Sequence, residues 1–215
     1  MKEAVEAQQS GNFEKAIRNY HLLLKTYPQI AEIHSNLGAA LAGEGRYADA
    51  IVEYERALKI KPNPQVSLNL GLAYYKAGQL SRAIATLTKV HAEQPKNLQV
   101  LVLLADSHLQ LAENKQVIAL LTPAQKADPE NATFNYLLGT ALVRDGQIAP
   151  GQVIIDKILR NGDSAQARLL MGTTKLMVND FKGALDDFTK AVELDPKLPD
   201  VYSYYGLALM STGDQ

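Results

Sequence analysis

A small residue recurs along this chain at intervals of 33 or 34 residues. In each copy it lies inside a short apolar segment, such as SNLGAAL or LNLGLAY. Its positions are Gly38, Gly71, Ala105, Gly139, Gly172 and Gly206. A fixed period of about 20 to 50 residues is typical of solenoids, in which each repeat buries its apolar face against its neighbours. The period therefore predicts a repeat architecture.

Two further markers follow the same period. A second, mostly small residue comes twelve positions after the first, at Ala50, Ala83, Val117, Gly151 and Ala184. A proline closes most units, because it lacks a backbone N–H and cannot continue a helix. These prolines are Pro28, Pro62, Pro95, Pro129 and Pro196. Together the markers predict the units 1–30, 31–63, 64–96, 97–130, 131–163, 164–197 and 198–215.

Each unit has the pattern of two helices. In residues 31–63 the marker residues of the first helix fall at i, i+3, i+4 and i+7, which is one helical face. They are His34, Leu37, Gly38 and Leu41. A break at 43–45 follows, and then the buried face of a second helix, formed by Tyr47, Ala50, Ile51, Tyr54, Ala57 and Leu58. We expect Gly38 and Ala50 to lie where the two helices approach closely.

These markers resemble the signature of the tetratricopeptide repeat family, W-x₂-L-G-x₂-Y, A-x₃-F and P. In residues 31–63 the signature reads His34-x₂-Leu37-Gly38-x₂-Leu41, Ala50-x₃-Tyr54 and Pro62. The aromatic residue at the first position is missing in most units. The resemblance covers essentially the whole chain and implies an all-α fold, a right-handed superhelical solenoid of stacked antiparallel helix pairs. It implies a single array of about six repeats plus a truncated last helix.

Four places depart from the regular pattern. Pro123 lies inside a second helix, where we expect a bend because an interior proline costs about 3 kcal/mol. Pro150 fits only if it lies in the first turn of its helix. The sequence Asn161-Gly162-Asp163 replaces the closing proline of the fifth unit, and 213–215 end the chain where another second helix would begin.

The family resemblance implies that the first helices line a concave groove. Asn36 and Asn69 occupy equivalent positions on them, although asparagine is a poor helix-interior residue. Its amide offers a donor and an acceptor to a passing peptide backbone, as in other members of the family. The alternative is a bond to the neighbouring repeat. The candidate peptide-binding residues are Asn36, Asn69, Leu72, Tyr75, Lys76, Asp106, Tyr136, Thr140, Arg144 and Tyr204.

The second half of the groove is predicted to be apolar. The positions equivalent to the two asparagines carry Leu103, Leu137, Leu170 and Tyr204. An apolar stripe favours an amphipathic helix or an extended apolar peptide as the partner; its residues are Leu103, Tyr136, Leu137, Leu169 and Tyr204. The alternative for the leucines is packing between adjacent first helices. A clamp for a terminal carboxylate is not expected, because Lys76 is the one clearly inward cation in units two to four.

Composition and motifs argue against other classes of function. The formal net charge of −1 gives no attraction for nucleic-acid phosphates. Apolar runs fall short of the roughly 18–20 residues of a membrane span, and cysteine is absent, which excludes thiolate metal sites. The histidines lie in different units and lack metal-binding spacing. Asp145, Asp186 and Asp187 are expected to be exposed. We therefore predict no catalytic, cofactor or metal site.

The sequence thus predicts a non-enzymatic scaffold that binds a peptide or helix of a partner protein. Two alternatives stay open: the substrate-recruiting arm of a larger enzyme such as a glycosyltransferase, and an assembly factor of the bacterial envelope or secretion machinery. The N-terminal residues lack the apolar core of a signal peptide, and both the cytoplasm and a bacterial periplasm stay open. Apolar residues on the terminal helix, such as Tyr202 and Met210, leave two interpretations open. The sequence is a fragment of a longer array, or this helix packs on a neighbouring molecule or over its own groove.

Overall fold

The computed structural model describes residues 1–160 and 162–212. Within those ranges the secondary structure consists of thirteen α-helices and contains no strand. This confirms the predicted all-α fold built from helix pairs. The sequence expectations for Asn161, and for 213–215 as the place where a further helix would begin, lie outside the described residues.

First and second helices alternate along the chain. The first helices are α1 (Lys2–Gln9), α3 (Ala31–Gly43), α5 (Pro64–Lys76), α7 (Leu98–Gln110), α9 (Ala132–Arg144), α11 (Ala165–Met177) and α13 (Val201–Thr212). The second helices are α2 (Phe13–Thr26), α4 (Tyr47–Ile60), α6 (Leu80–Glu93), α8 (Asn114–Ala127), α10 (Ile148–Arg160) and α12 (Phe181–Leu194).

The helices group into two compact units, Met1–Leu111 and Ala112–Gln215. In the first unit each helix packs on the next, and the first helices α3, α5 and α7 also contact one another in that order. In the second unit α9, α11 and α13 make the corresponding contacts. Each unit therefore has its own row of adjacent first helices.

Local signals set the helix ends. Asparagine side chains cap several helix N-termini by accepting backbone N–H bonds, for example Asn12 from Lys15 and Asn131 from Phe134. Such caps satisfy donors that the first turn leaves unpaired. The turn between the two helices of a pair needs a positive φ, which Gly45 adopts at 79° and glycine tolerates without steric cost.

The recurring glycine is explained by a close side-chain contact. A Cβ added at Gly38 would lie 2.8 Å from Cε1 of Tyr54 on the paired helix. At Gly71 it would lie 2.6 Å from Cδ2 of Leu87, at the equivalent place in the next unit. The close neighbour of Gly38 is thus the ring of Tyr54, sixteen residues later. Ala50, on the same helix as Tyr54, is fully buried at 0% exposure.

We predict that Ala50→Leu lowers the free energy of unfolding by about 1–3 kcal/mol, because extra methyl groups overpack a filled site. Urea denaturation would measure the change. Ala48→Leu is the matched control, since Ala48 is exposed on the same helix, and we expect an effect within about 0.5 kcal/mol. A melt of Ala50→Leu that matches the parent would contradict this packing.

The predictions for the two irregular prolines have different outcomes. Pro150 is the third residue of α10 and so lies in its first turn, as the sequence required. Pro123 lies inside α8, whose helical structure continues through it to Ala127. The bend at Pro123 stays a prediction. Among the described residues, we find no helix whose length and apolar character suit a membrane crossing.

Candidate functional site

The first helices of the second compact unit line a cleft of about 520 Å³. We call it the C-terminal groove. Its walls come from α9, α11 and α13, together with residues 198–200 that precede α13. It brings together four of the predicted site residues, Tyr136, Thr140, Arg144 and Tyr204, with the additional apolar residues Leu169, Met177 and Leu207.

The apolar part of this groove is accessible. Met177 is 50% exposed, Leu207 is 52% exposed, and Tyr204 is 36% exposed. The ring of Tyr204 stacks on the buried ring of Phe188, with centroids 6.2 Å apart. This contact fixes the orientation of the Tyr204 ring. The exposed side of the ring can therefore contact a partner without a change of side-chain conformation.

The leucines at the asparagine-equivalent positions have a different role. Leu137 and Leu170 are only 4% and 7% exposed, respectively. Both are largely covered by neighbouring helices, as the packing alternative for the leucines expects, although Leu170 also lines the groove. The accessible apolar surface instead comes from Met177 and Leu207.

Polar groups in the C-terminal groove differ in their availability. Thr140 is buried, and its hydroxyl donates to the carbonyl oxygen of Tyr136 at 2.7 Å. Thr140 therefore shapes the floor without offering a free hydroxyl. Arg144 is exposed, and neither it nor Asp200 has an ion-pair partner among the described residues. These two side chains provide one positive and one negative charge in the lining.

The first compact unit contains the other six predicted site residues. Asn69, Leu72 and Lys76 line a smaller cleft of about 340 Å³, which we call the N-terminal groove. Asn36 is half-buried, and its amide has no hydrogen-bond partner in the described part of the chain. The Oδ1 of Asn69 accepts from Nε2 of Gln65 at 3.2 Å, which leaves the amide N–H groups of Asn69 available.

Tyr75 and Asp106 bond to each other. The Tyr75 hydroxyl donates to the Asp106 carboxylate, and Nε2 of Gln110 donates to Oδ2 of Asp106 at 2.7 Å and to the Tyr75 oxygen at 3.0 Å. Burial, followed by the neighbouring Asp106, raises the pKa of Tyr75 above its usual value. This cluster links α5 to α7, so much of its hydrogen-bonding capacity is used inside the protein.

Sequence reasoning missed two buried pairs of ionisable side chains at equivalent positions. His34 Nδ1 lies 2.6 Å from Oε2 of Glu53, and Arg168 Nη1 lies 2.8 Å from Oδ1 of Asp187. Asp187 is only 2% exposed, so the expectation that it is exposed was wrong. Lys175 Nζ also lies 2.7 Å from Oδ2 of Asp187. One sequence signal could have indicated these pairs. It is a charged or ionisable residue at the position of tryptophan in the repeat signature, followed nineteen residues later by an acidic residue.

Comparisons with known proteins match repeat families. A model described as "Tetratricopeptide repeat" matches residues 1–65 and 102–149, more than half of the chain. A model described as "Anaphase-promoting complex, cyclosome, subunit 3" matches residues 43–124. Among curated proteins, the CTR9 homolog of Arabidopsis thaliana is 32% identical over 104 residues, which is 46% of this chain. The chain spans only 9% of that relative's length.

Solved structures share the fold. The PilF protein of Pseudomonas aeruginosa aligns with a TM-score of 0.68 and 19% identity, over 96% of this chain and 95% of its own. YrrB, described as a TPR protein with an unusual peptide-binding site, aligns with a TM-score of 0.68 and 17% identity, over 90% of this chain and 97% of its own. At these identities the likeness concerns the fold alone.

Proposed function

The chain belongs to the tetratricopeptide repeat family, and from this premise we propose that its C-terminal groove binds an apolar segment of a partner protein. The relatives support the broader role of a protein–protein interaction scaffold. The observation that carries the finer proposal is the cleft of about 520 Å³ with Met177 and Leu207 half exposed on its walls. Apolar side chains gathered in a concave site are typical of peptide- and ligand-binding surfaces.

An amphipathic helix is the partner segment that fits this surface best. A helix laid in a groove presents anchors at i, i+3 or i+4, and i+7, which can contact an apolar wall over several turns. Tyr204 is already held against Phe188, so less side-chain entropy is lost when the partner binds. Arg144 and Asp200 can orient the bound segment through flanking charges of opposite sign, since each lacks an ion-pair partner in the described residues.

The N-terminal groove has a second, polar role in this proposal. Asn69 lines this groove, and Asn36 lies on α3, which also contributes to the lining; both have amide N–H groups available for the backbone of an extended stretch of partner. The bond between Tyr75 and Asp106 links α5 of this groove to α7. The chain itself carries no catalysis in this proposal; its contribution is a preorganised binding surface. Self-association through Tyr202 and Met210, which are 57% and 77% exposed, stays a prediction.

We expect the double variant Met177→Lys with Leu207→Lys to lose partner binding. Helical peptides would first be selected against the wild-type protein by display, and their affinities then measured by titration calorimetry. Loss of two central apolar contacts should weaken binding by at least about tenfold. Both residues are half exposed, so the fold should be retained, which circular dichroism would check.

The matched control is Val153→Lys with Leu194→Lys. These residues are 67% and 50% exposed, lie in the same compact unit, and do not line the groove. The control adds the same two charges and should bind the selected peptides as the wild type does. Equal losses in the two double variants, or no loss in either, would refute binding in the C-terminal groove.

A further inference from the structure

The first compact unit contains a second cleft, of about 880 Å³, that is distinct from the N-terminal groove. It lies among the C-terminal parts of α2 and α4 and the connection that precedes α3. We call it the basic cleft and define it by His21, Lys25, Glu53, Arg56, Lys59 and Ile60. None of the predicted peptide-binding residues lines it.

The floor of the basic cleft contains a neutralised carboxylate. Glu53 has a side chain that is 8% exposed, with Oε2 facing His34 Nδ1 and Oε1 accepting from Nη1 of Arg56 at 2.6 Å. His34 Nε2 lies 3.0 Å from the carbonyl oxygen of Pro28. Because a carbonyl oxygen only accepts, Nε2 of His34 donates to Pro28, and Nδ1 shares a hydrogen bond with Glu53. Both oxygens of Glu53 are therefore engaged within the protein.

The remaining charged groups of the cleft are basic and available. Among its lining residues, all of which the structure describes, Glu53 is the one acid. Lys25 and Lys59 are exposed and have no acidic partner in the described residues. Arg56 is 59% exposed and retains N–H donors beyond its bond to Glu53. The chain as a whole has a net charge of −1, but the basic cleft gathers positive charges in a concave site. Such a site attracts anions.

We propose that the basic cleft binds an acidic peptide segment of a partner protein. Its glutamate or aspartate side chains would pair with Lys25, Lys59 and Arg56. The volume of about 880 Å³ far exceeds the space that one inorganic anion needs, and Leu24, Pro28 and Ile60 provide apolar contacts for neighbouring side chains. Phenylalanine, tyrosine and tryptophan side chains, on which nucleic-acid bases stack, are absent from this lining in the described structure. These features favour a peptide.

The test uses a fluorescein-labelled peptide of glutamates with interspersed leucines, and fluorescence anisotropy as the readout. Wild-type protein should bind this probe with an affinity that falls as salt rises. The same peptide with glutamine in place of glutamate should not bind. Lys25→Glu with Lys59→Glu should weaken binding by at least about tenfold, since two attractive contacts become repulsive.

Lys89→Glu with Lys96→Glu is the matched control. It makes the same change of net charge in the same compact unit, on exposed lysines outside the cleft, and should keep the wild-type affinity to within about threefold. Equal losses in the two double variants would show general charge attraction and overturn the proposal. Absence of wild-type binding, equal binding of the glutamine peptide, or full displacement by an equimolar amount of inorganic phosphate would also overturn it.

The basic cleft and the C-terminal groove can be tested separately. Met177→Lys with Leu207→Lys changes residues of the second compact unit and should leave binding of the acidic probe unchanged. Lys25→Glu with Lys59→Glu should likewise leave binding of the selected apolar peptides unchanged. Failure of one proposal therefore does not imply failure of the other.

Discussion

Replacing Glu53 by alanine should lower the free energy of unfolding by about 3–5 kcal/mol, as expected when one member of a buried network of ionisable, hydrogen-bonded side chains is removed. Glu53 is 6% exposed and bonds to both His34 and Arg56. Its truncation leaves His34 Nδ1 buried without a partner, because His34 is also 6% exposed. The penalty arises from this unpaired group as well as from the lost contacts.

Urea denaturation of purified variants would measure this effect. Glu93→Ala is the control, because Glu93 is exposed on a second helix of the same compact unit; its effect should stay within about 0.5 kcal/mol. The double variant Glu53→Ala with His34→Ala should be less destabilised than the sum of the single variants, because the two residues are in contact. Similar losses for Glu53→Ala and Glu93→Ala would contradict the burial of this pair.

The same glycine-to-alanine substitution should have opposite signs in two neighbouring repeats. A Cβ at Gly172 would overlap Cε1 of Phe188, which is 0% exposed and stacked on Tyr204. Gly172→Ala should therefore destabilise the protein by about 1–3 kcal/mol through overpacking, despite the better helix propensity of alanine. Gly206 is its counterpart on α13, where an added Cβ meets nothing within 4 Å. Gly206→Ala should stabilise by roughly 0.5–1 kcal/mol.

Thermal and urea unfolding of the two single variants would check these signs. The comparison is controlled internally, because the substitution and the position in the repeat are the same. The contact with the aromatic ring of the paired helix is the difference between the two sites. Stabilisation by both substitutions would mean that the recurring glycine is not required by packing against Phe188.

The fold could be predicted from the sequence because its signals are local and repeated. The regular spacing of Gly38 and its equivalents identified the first helices, and Gly38 lies within α3 in the structure. Pro150 could be placed in a first turn because the rule for proline concerns only its own helix. Such signals need no knowledge of which helices become neighbours.

The depth and partners of individual side chains could not be predicted in the same way. Leu170 lines the C-terminal groove, as its position suggested, but it is only 7% exposed because it packs in a core cluster with Val143 of the adjacent first helix. Asp187 looked like a solvated helix acid, but Arg168 from the paired helix covers it. The bond between Tyr75 and Asp106 depends on the register of α5 against α7. Each of these features is set by a contact between helices.

Site-specific photocrosslinking on α13 tests the central claim about the C-terminal groove most directly. The photoreactive residue p-benzoylphenylalanine would replace Tyr204 in one variant and Tyr202 in another, each with a selected helical peptide bound. Tyr204 lines the groove, whereas Tyr202 is two residues away, more exposed and outside the lining. Crosslinking of the peptide from position 204 and not from position 202 is the predicted result. Equal crosslinking from both positions, or crosslinking from position 202 alone, would contradict binding in the groove.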